Sequence, residues 1–339
     1  MILRTEIVEQ RVAGDRVVTL VKDVVMTSGP MPLGMVRKRL SASEPSRRTV
    51  LLVHGFGQNR YTWHSSRRSF SAYLAAEGYD VFNLDLRGHG RSRRFGASSP
   101  RLLDDYLKED VPAAAREALR LSGDSKIFLV GHSMGGLLAY GAGATSLRPV
   151  LRGVVTLGSP YRFGQGSAAL VMLRQLLLTL RFTGLLDGNP RLPLGIVGRH
   201  LRRRRHLWNV PRIPLPIRAW HPGSVEDDIL DEYLGRAFDW ANIQIALDIL
   251  RIGADRALMS RDGRNDYGSA FEHLDKPLLV IAGSEDTLAP PKSVKPAYDL
   301  SESTDKTYRV FPLGHIDLII GREAPFTVWP LVRDWLGRR

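Results

Sequence analysis

Five short apolar runs constrain this chain more than any other feature. "TVLLVHGFG" (49–57), "DVFNLDL" (80–86), "KIFLV" (126–130), "LRGVVTLGSP" (151–160) and "KPLLVIAGSED" (276–286) are apolar on nearly every residue and end in glycine, serine or charge. A strand without polar alternation is buried on both faces. Helix-like stretches at 65–78, 103–123 and 134–146 separate the first four runs. Such alternation predicts a parallel sheet with helices on both faces. Two β-branched segments, 16–27 and 33–40, read as opening strands, and 307–312 with 325–336 reads as a closing strand and helix. The rhythm fails between 160 and 276. That stretch is predicted to be an insertion on top of the sheet, dividing the core into 1–159 and 277–339.

The 339 residues are 43% hydrophobic and 24% charged, ordinary for a globular chain. No uninterrupted apolar stretch of about 18 residues occurs, so no spanning helix is expected. The acid-bearing start "MILRTEIVEQ" does not read as a secretory signal. The expected location is cytoplasmic, with peripheral membrane contact left open. With no cysteine there can be no disulfide, thiolate metal site or cysteine nucleophile, and no metal-binding histidine spacing occurs. The net charge of +13 points toward anionic surroundings. No helix-turn-helix, zinc-finger or RNA-binding signature accompanies it, so nucleic acid is not an expected partner.

"VGHSMGG" (130–136) sits where a strand hands over to a helix. It is either a glycine-rich turn that happens to carry a hydroxyl or a nucleophile held on a sharp bend, with Gly131 and Gly135 relieving backbone crowding. Two further residues favour the second reading. Asp286 follows "PLLVIAG" and His315 follows "YRVFP". A serine hydroxyl is a weak nucleophile unless a histidine takes its proton and a carboxylate orients that histidine. Ser133, Asp286 and His315 at strand ends, in that chain order, meet the requirement. The glycines of "HGFG" (54–57) let backbone N–H groups face inward, so Phe56 and Met134 are expected to form an oxyanion hole. Asp317 and Glu285 are rival acids. His54, Asp85 and His89 read as loop anchors. Trp63 either lines an acyl pocket, as a substrate-binding residue, or packs in the core.

"VHGFG", "DLRGHGRS", "GHSMGG", "GSEDTLAP" and "LGHIDLI", in this order, resemble the motifs of the α/β-hydrolase superfamily. The resemblance implies an α/β-hydrolase fold: a mostly parallel eight-stranded sheet with a largely helical cap between strands six and seven. It also implies Ser–His–Asp acyl chemistry without cofactor or metal. Within the superfamily, dehalogenases and epoxide hydrolases use an aspartate, and polyhydroxyalkanoate synthases a cysteine, where this chain has Ser133. Even so, "GHIDLIIGREAPFTVWPLVRDWL" is similar to the closing segment of those synthases and of acid-lipase-like proteins. The chain most resembles serine lipases and esterases, including monoacylglycerol-lipase-like and lysophospholipase-like members. The expected reaction is hydrolysis of hydrophobic or lipid-like carboxylic esters. Acyl transfer or thioester cleavage by the same triad, and a non-catalytic lipid- or partner-binding module, are the alternatives.

The insertion is electrostatically divided, with net charge +10 over 160–221 and −6 over 222–276. Its basic half holds the apolar stretch 169–186 and the arginine cluster "GRHLRRRRHLW" (198–208). Two readings stand. The pair forms a peripheral contact with an anionic membrane, or the helix closes the pocket and the arginines meet "VEDDILDEYL" (225–234).

Overall fold

The computed structural model describes residues 1–41, 48–184, 188–209, 217–252 and 258–339. Nine strands form one sheet: β1 (Ile2–Ala13), β2 (Arg16–Met26), β3 (Gly34–Arg39), β4 (Thr49–Val53), β5 (Asp80–Asp85), β6 (Ile127–His132), β7 (Leu151–Leu157), β8 (Leu278–Gly283) and β9 (Lys306–Phe311), in the order β1-β2-β3-β5-β4-β6-β7-β8-β9. The first three and the β3–β5 pairing are antiparallel, and every pairing from β5 to β9 is parallel. Among the described residues the sheet has nine strands where eight were expected. The extra one, β1, pairs with β2 across the tight Gly14–Asp15 turn and carries polar residues at the sheet edge, where solvent tolerates them.

Two apolar layers cover the sheet, and the period of two explains the continuous runs. In β4, Leu51 and Val53 enter one layer while Val50 and Leu52 enter the other; in β6, Ile127 and Leu129 oppose Phe128 and Val130. The first layer is closed by α2 (Val111–Ser122) and α3 (Met134–Ala144), the second by α1 (Phe70–Ala76) and a C-terminal helix (Val328–Gly337). The helix predicted at 103–123 is not broken at Pro112. It begins at Leu103 and widens over Tyr106–Asp110, so the missing proline N–H falls in the first turn of α2.

Between β7 and β8 the described chain is mainly helical: α4 (Ala168–Phe182), α5 (Leu194–Arg203), α6 (Asp227–Arg236) and α7 (Ile243–Arg251). Residues 185–187, inside the apolar stretch, lie outside the described residues. A further helix, Tyr267–Glu272, packs directly on α3, with the Phe271 and Tyr140 rings 4.4 Å apart. No described helix is long and apolar enough to cross a membrane.

Candidate active site

β6 delivers Ser133 to the start of α3 with φ 54° and ψ −121°, a strained conformation for a residue bearing a side chain. The strain is held by close packing. A Cβ on Gly131 would lie 2.3 Å from the Gly135 carbonyl carbon, and one on Gly135 would lie 2.1 Å from the Val53 oxygen. Only glycine at both positions lets α3 cross the end of β4 this closely. The crossing also brings the 54–57 loop beside the serine.

His315 and Asp286 come from the loops after β9 and β8. His315 Nδ1 donates to Asp286 Oδ2 at 2.7 Å, and both side chains are buried. Asp286 Oδ1 meanwhile accepts the N–H groups of Leu288 (2.8 Å) and Ala289 (2.7 Å). An ionised carboxylate only accepts, so the proton sits on Nδ1 and the lone pair on Nε2. No hydrogen bond joins Ser133 Oγ to His315 among the described residues, yet both line one cavity of about 330 Å³. Its walls are apolar, with Leu170, Leu173 and Leu177 from α4 and Ile249 and Leu250 from α7.

Phe56 and Met134 line the same cavity, and among the described residues neither backbone N–H has an acceptor. Two free N–H groups beside a serine suit a developing oxyanion. Sequence reasoning missed Gln58, whose Oε1 accepts the Gly55 N–H (3.2 Å) and whose Nε2 donates to the Tyr233 hydroxyl of α6 (2.7 Å). It fixes the glycine loop to the insertion. A polar residue directly after "HGFG" was the available signal.

Among the described residues Asp317 makes no hydrogen bond to the His315 ring. Its Oδ2 accepts the N–H groups of Gly314 (2.9 Å) and His221 (2.8 Å), and burial pushes its carboxyl up to about 6. Glu285 is exposed and faces His221 at 3.8 Å. His54 accepts the Leu86 N–H at Nε2 and donates from Nδ1 to the Gly55 carbonyl, and Asp85 holds Arg60 and the Arg91 N–H. His89 faces the Tyr106 hydroxyl, and burial followed by neighbouring His54 pushes it down to about 3. Trp63 lies in the core, the second of its two readings, and does not line the Ser133 cavity. It is fully buried behind the site between Phe70 and His132, because its large ring fills the layer under β6 rather than the cavity.

The arginine cluster is split. Arg205 reaches Asp231 (3.0 Å) and Asp227 (3.7 Å), and Arg202 reaches Asp231 (3.7 Å), all on α6. Arg199, Arg203 and Arg204 have no ion pair among the described residues. No group of acidic or histidine side chains among the described residues could hold a metal ion.

A serine on a strained strand-to-helix bend and a paired imidazole and carboxylate on later strand ends define the α/β-hydrolase architecture. The chain matches the model of the alpha/beta hydrolase family over residues 50–326 and belongs to that family. It is 33% identical over 112 residues to epoxide hydrolase 3 of Xenopus tropicalis, covering 33% of this chain and 28% of that protein. It is 32% identical over 138 residues to lipase member K of Mus musculus, covering 37% and 35%. The chain thus spans about a third or less of these curated relatives. Among solved structures, a monoglyceride lipase from Saccharomyces cerevisiae superposes with TM-score 0.63 at 17% identity, covering 93% of this chain and 96% of that one. A monoacylglycerol lipase from Paleococcus ferrophilus gives 0.56 at 19%, covering 90% and 98%. These two likenesses concern the fold.

Proposed function

We propose that this chain hydrolyses carboxylic esters of hydrophobic acyl groups through an acyl-enzyme on Ser133. The observation that carries the reading is the 2.7 Å His315–Asp286 pair in the same apolar cavity as the strained Ser133. His315 Nε2 takes the hydroxyl proton as Ser133 Oγ bonds to the ester carbonyl carbon. The negative oxygen faces the Phe56 and Met134 N–H groups. Collapse breaks the bond to the alcohol oxygen, which leaves with the proton from His315. Water then gives its proton to His315 and attacks the acyl carbon, releasing the acid and restoring Ser133. Asp286 stays ionised throughout and stabilises the imidazolium. Serine in place of the aspartate of epoxide hydrolases supports ester rather than epoxide chemistry.

In this reading residues 160–276 act as a cap over the cavity, α4 and α7 supplying the acyl walls. The outer side of the cap supports a peripheral contact with anionic lipid. Met172 is 72% and Phe182 91% exposed, and Arg199, Arg203 and Arg204 are free of ion pairs among the described residues. Ser133→Ala tests the chemistry. Turnover of p-nitrophenyl hexanoate should fall on the order of 10⁴- to 10⁶-fold, and unchanged turnover would end the assignment.

A further inference from the structure

Ala219 is a wall shared by two cavities. One side is the Ser133 cavity. On the other lies a second, apolar cavity of about 510 Å³, walled by Ile196, Val197, Leu201, Trp208, Ile217 and Trp220, with His200 and Arg218 its polar members. The wall is fixed to the catalytic loops. The Ala219 carbonyl accepts the N–H of Ile316 (2.9 Å), the residue after His315. Arg218 N–H donates to Thr287 Oγ1 (2.7 Å), which returns a bond to the Arg218 carbonyl (3.1 Å), one residue from Asp286. Trp220 Nε1 donates to Asn209 Oδ1 (2.8 Å), so the indole is held in one orientation.

The chemistry of ester cleavage decides what this cavity would hold. The leaving oxygen takes its proton from His315, so the alcohol arm departs on the histidine side of the scissile bond. Ala219 stands on that side, bonded next to His315, and the apolar cavity opens beyond it. We propose that the second cavity takes a hydrocarbon leaving arm, making the substrate an ester with apolar chains on both sides of the scissile bond. The inference rests on the Ser133 reading and deepens it. A glycerol-sized or charged alcohol would leave these walls wet, whereas each buried methylene strengthens productive binding up to about fourfold.

The test is kcat/KM for monomeric ethyl, butyl and octyl hexanoate, followed by acid release, beside p-nitrophenyl hexanoate. The octyl-to-ethyl ratio should exceed about ten in the unaltered chain. In the double variant Ile196→Asp, Val197→Asp the ratio should fall to near one. Both positions are half exposed, at 49% and 45%, so they tolerate charge. Because the ratio is taken within one protein, partial misfolding lowers both terms alike. A flat ratio in the unaltered chain, or one the variant leaves in place, overturns the proposal while p-nitrophenyl turnover keeps the Ser133 reading intact. Loss of Ser133-dependent turnover on every ester overturns both.

Discussion

His132, the residue before the nucleophile, donates from Nε2 to the backbone carbonyl of His315 at 3.1 Å, and the two rings lie 4.6 Å apart. The carbonyl can only accept, so Nε2 carries the proton, and Nδ1 is buried without a partner among the described residues. Burial, and then the adjacent His315, hold the His132 imidazole well below its ordinary pKa. A neutral His132 adds no second positive charge beside the imidazolium that the proposed mechanism forms at His315.

In the proposed mechanism His132 is a positioning residue, acting through the loop that carries His315. His132→Leu should lower kcat about 10- to 100-fold with little change in KM, as small displacements of a catalytic group do. His132→Gln, whose amide nitrogen reaches as far as Nε2, should recover most of the loss. Equal losses in the two variants would reduce His132 to packing.

The two aspartates of the site separate cleanly by what they hold. Asp286→Asn removes the acceptor that fixes the His315 tautomer and should cost about 10⁴-fold in kcat. Asp317→Asn keeps one oxygen for the Gly314 and His221 N–H groups and should retain most activity. Steady-state kinetics on one p-nitrophenyl ester decides it. A larger loss at 317 than at 286 would reverse the assignment of the acid.

Asp317 also marks a dependence of stability on pH. It faces the N–H groups of Gly314 and His221, the Ser224 hydroxyl and the His221 side chain, and burial raises it to about 6. A raised carboxyl binds its proton more tightly when folded. Its stabilising contribution is complete below the ordinary carboxylate range and is lost as pH rises through about 6. Thermal melts of Asp317→Asn and the unaltered chain should agree most closely near pH 4, and the variant should gain relative Tm toward pH 7. Asp110, also pushed up to about 6 by burial, follows the same trend in both proteins and cancels from the difference. A difference in Tm that is flat across this range would show that Asp317 does not titrate there.

The parallel strands β4 to β8 were legible because burial on both faces writes itself as an unbroken apolar run, and Ser133 and Asp286 stood out as candidates because each follows such a run. β9 is half-exposed at the sheet edge and carries Lys306, Thr307 and Arg309, so His315 stood out by its motif and its place in the chain order. β1 was not legible, since an edge strand with exposed Ile7 and charged neighbours has no such run. Trp63 was open in principle, because an aromatic after a glycine loop fits a pocket wall and a core equally well. Nothing local to 217–221 announced that this segment bonds to the loops of both Asp286 and His315; those contacts join residues about 70 to 100 positions apart and exist only once the sheet has formed. The arginine run shows the same limit. Composition gave one patch, while the structure pairs Arg202 and Arg205 with Asp231 of α6 and leaves Arg199, Arg203 and Arg204 without an ion pair among the described residues.

That division makes the proposed lipid contact measurable. Each arginine near an anionic surface contributes about 1 kcal/mol, so three together are worth on the order of 100-fold in partitioning. R199Q/R203Q/R204Q should weaken co-sedimentation with phosphatidylserine-containing vesicles by about that factor, whereas R202Q/R205Q, which removes charges already paired with α6, should weaken it far less. Raising the salt to about 1 M, where the Debye length is about 3 Å, should erase most of the difference between the two variants. Met172 and Phe182 remain exposed in either variant, so binding that persists unchanged in the triple variant would assign any membrane contact to those apolar side chains rather than to the arginines.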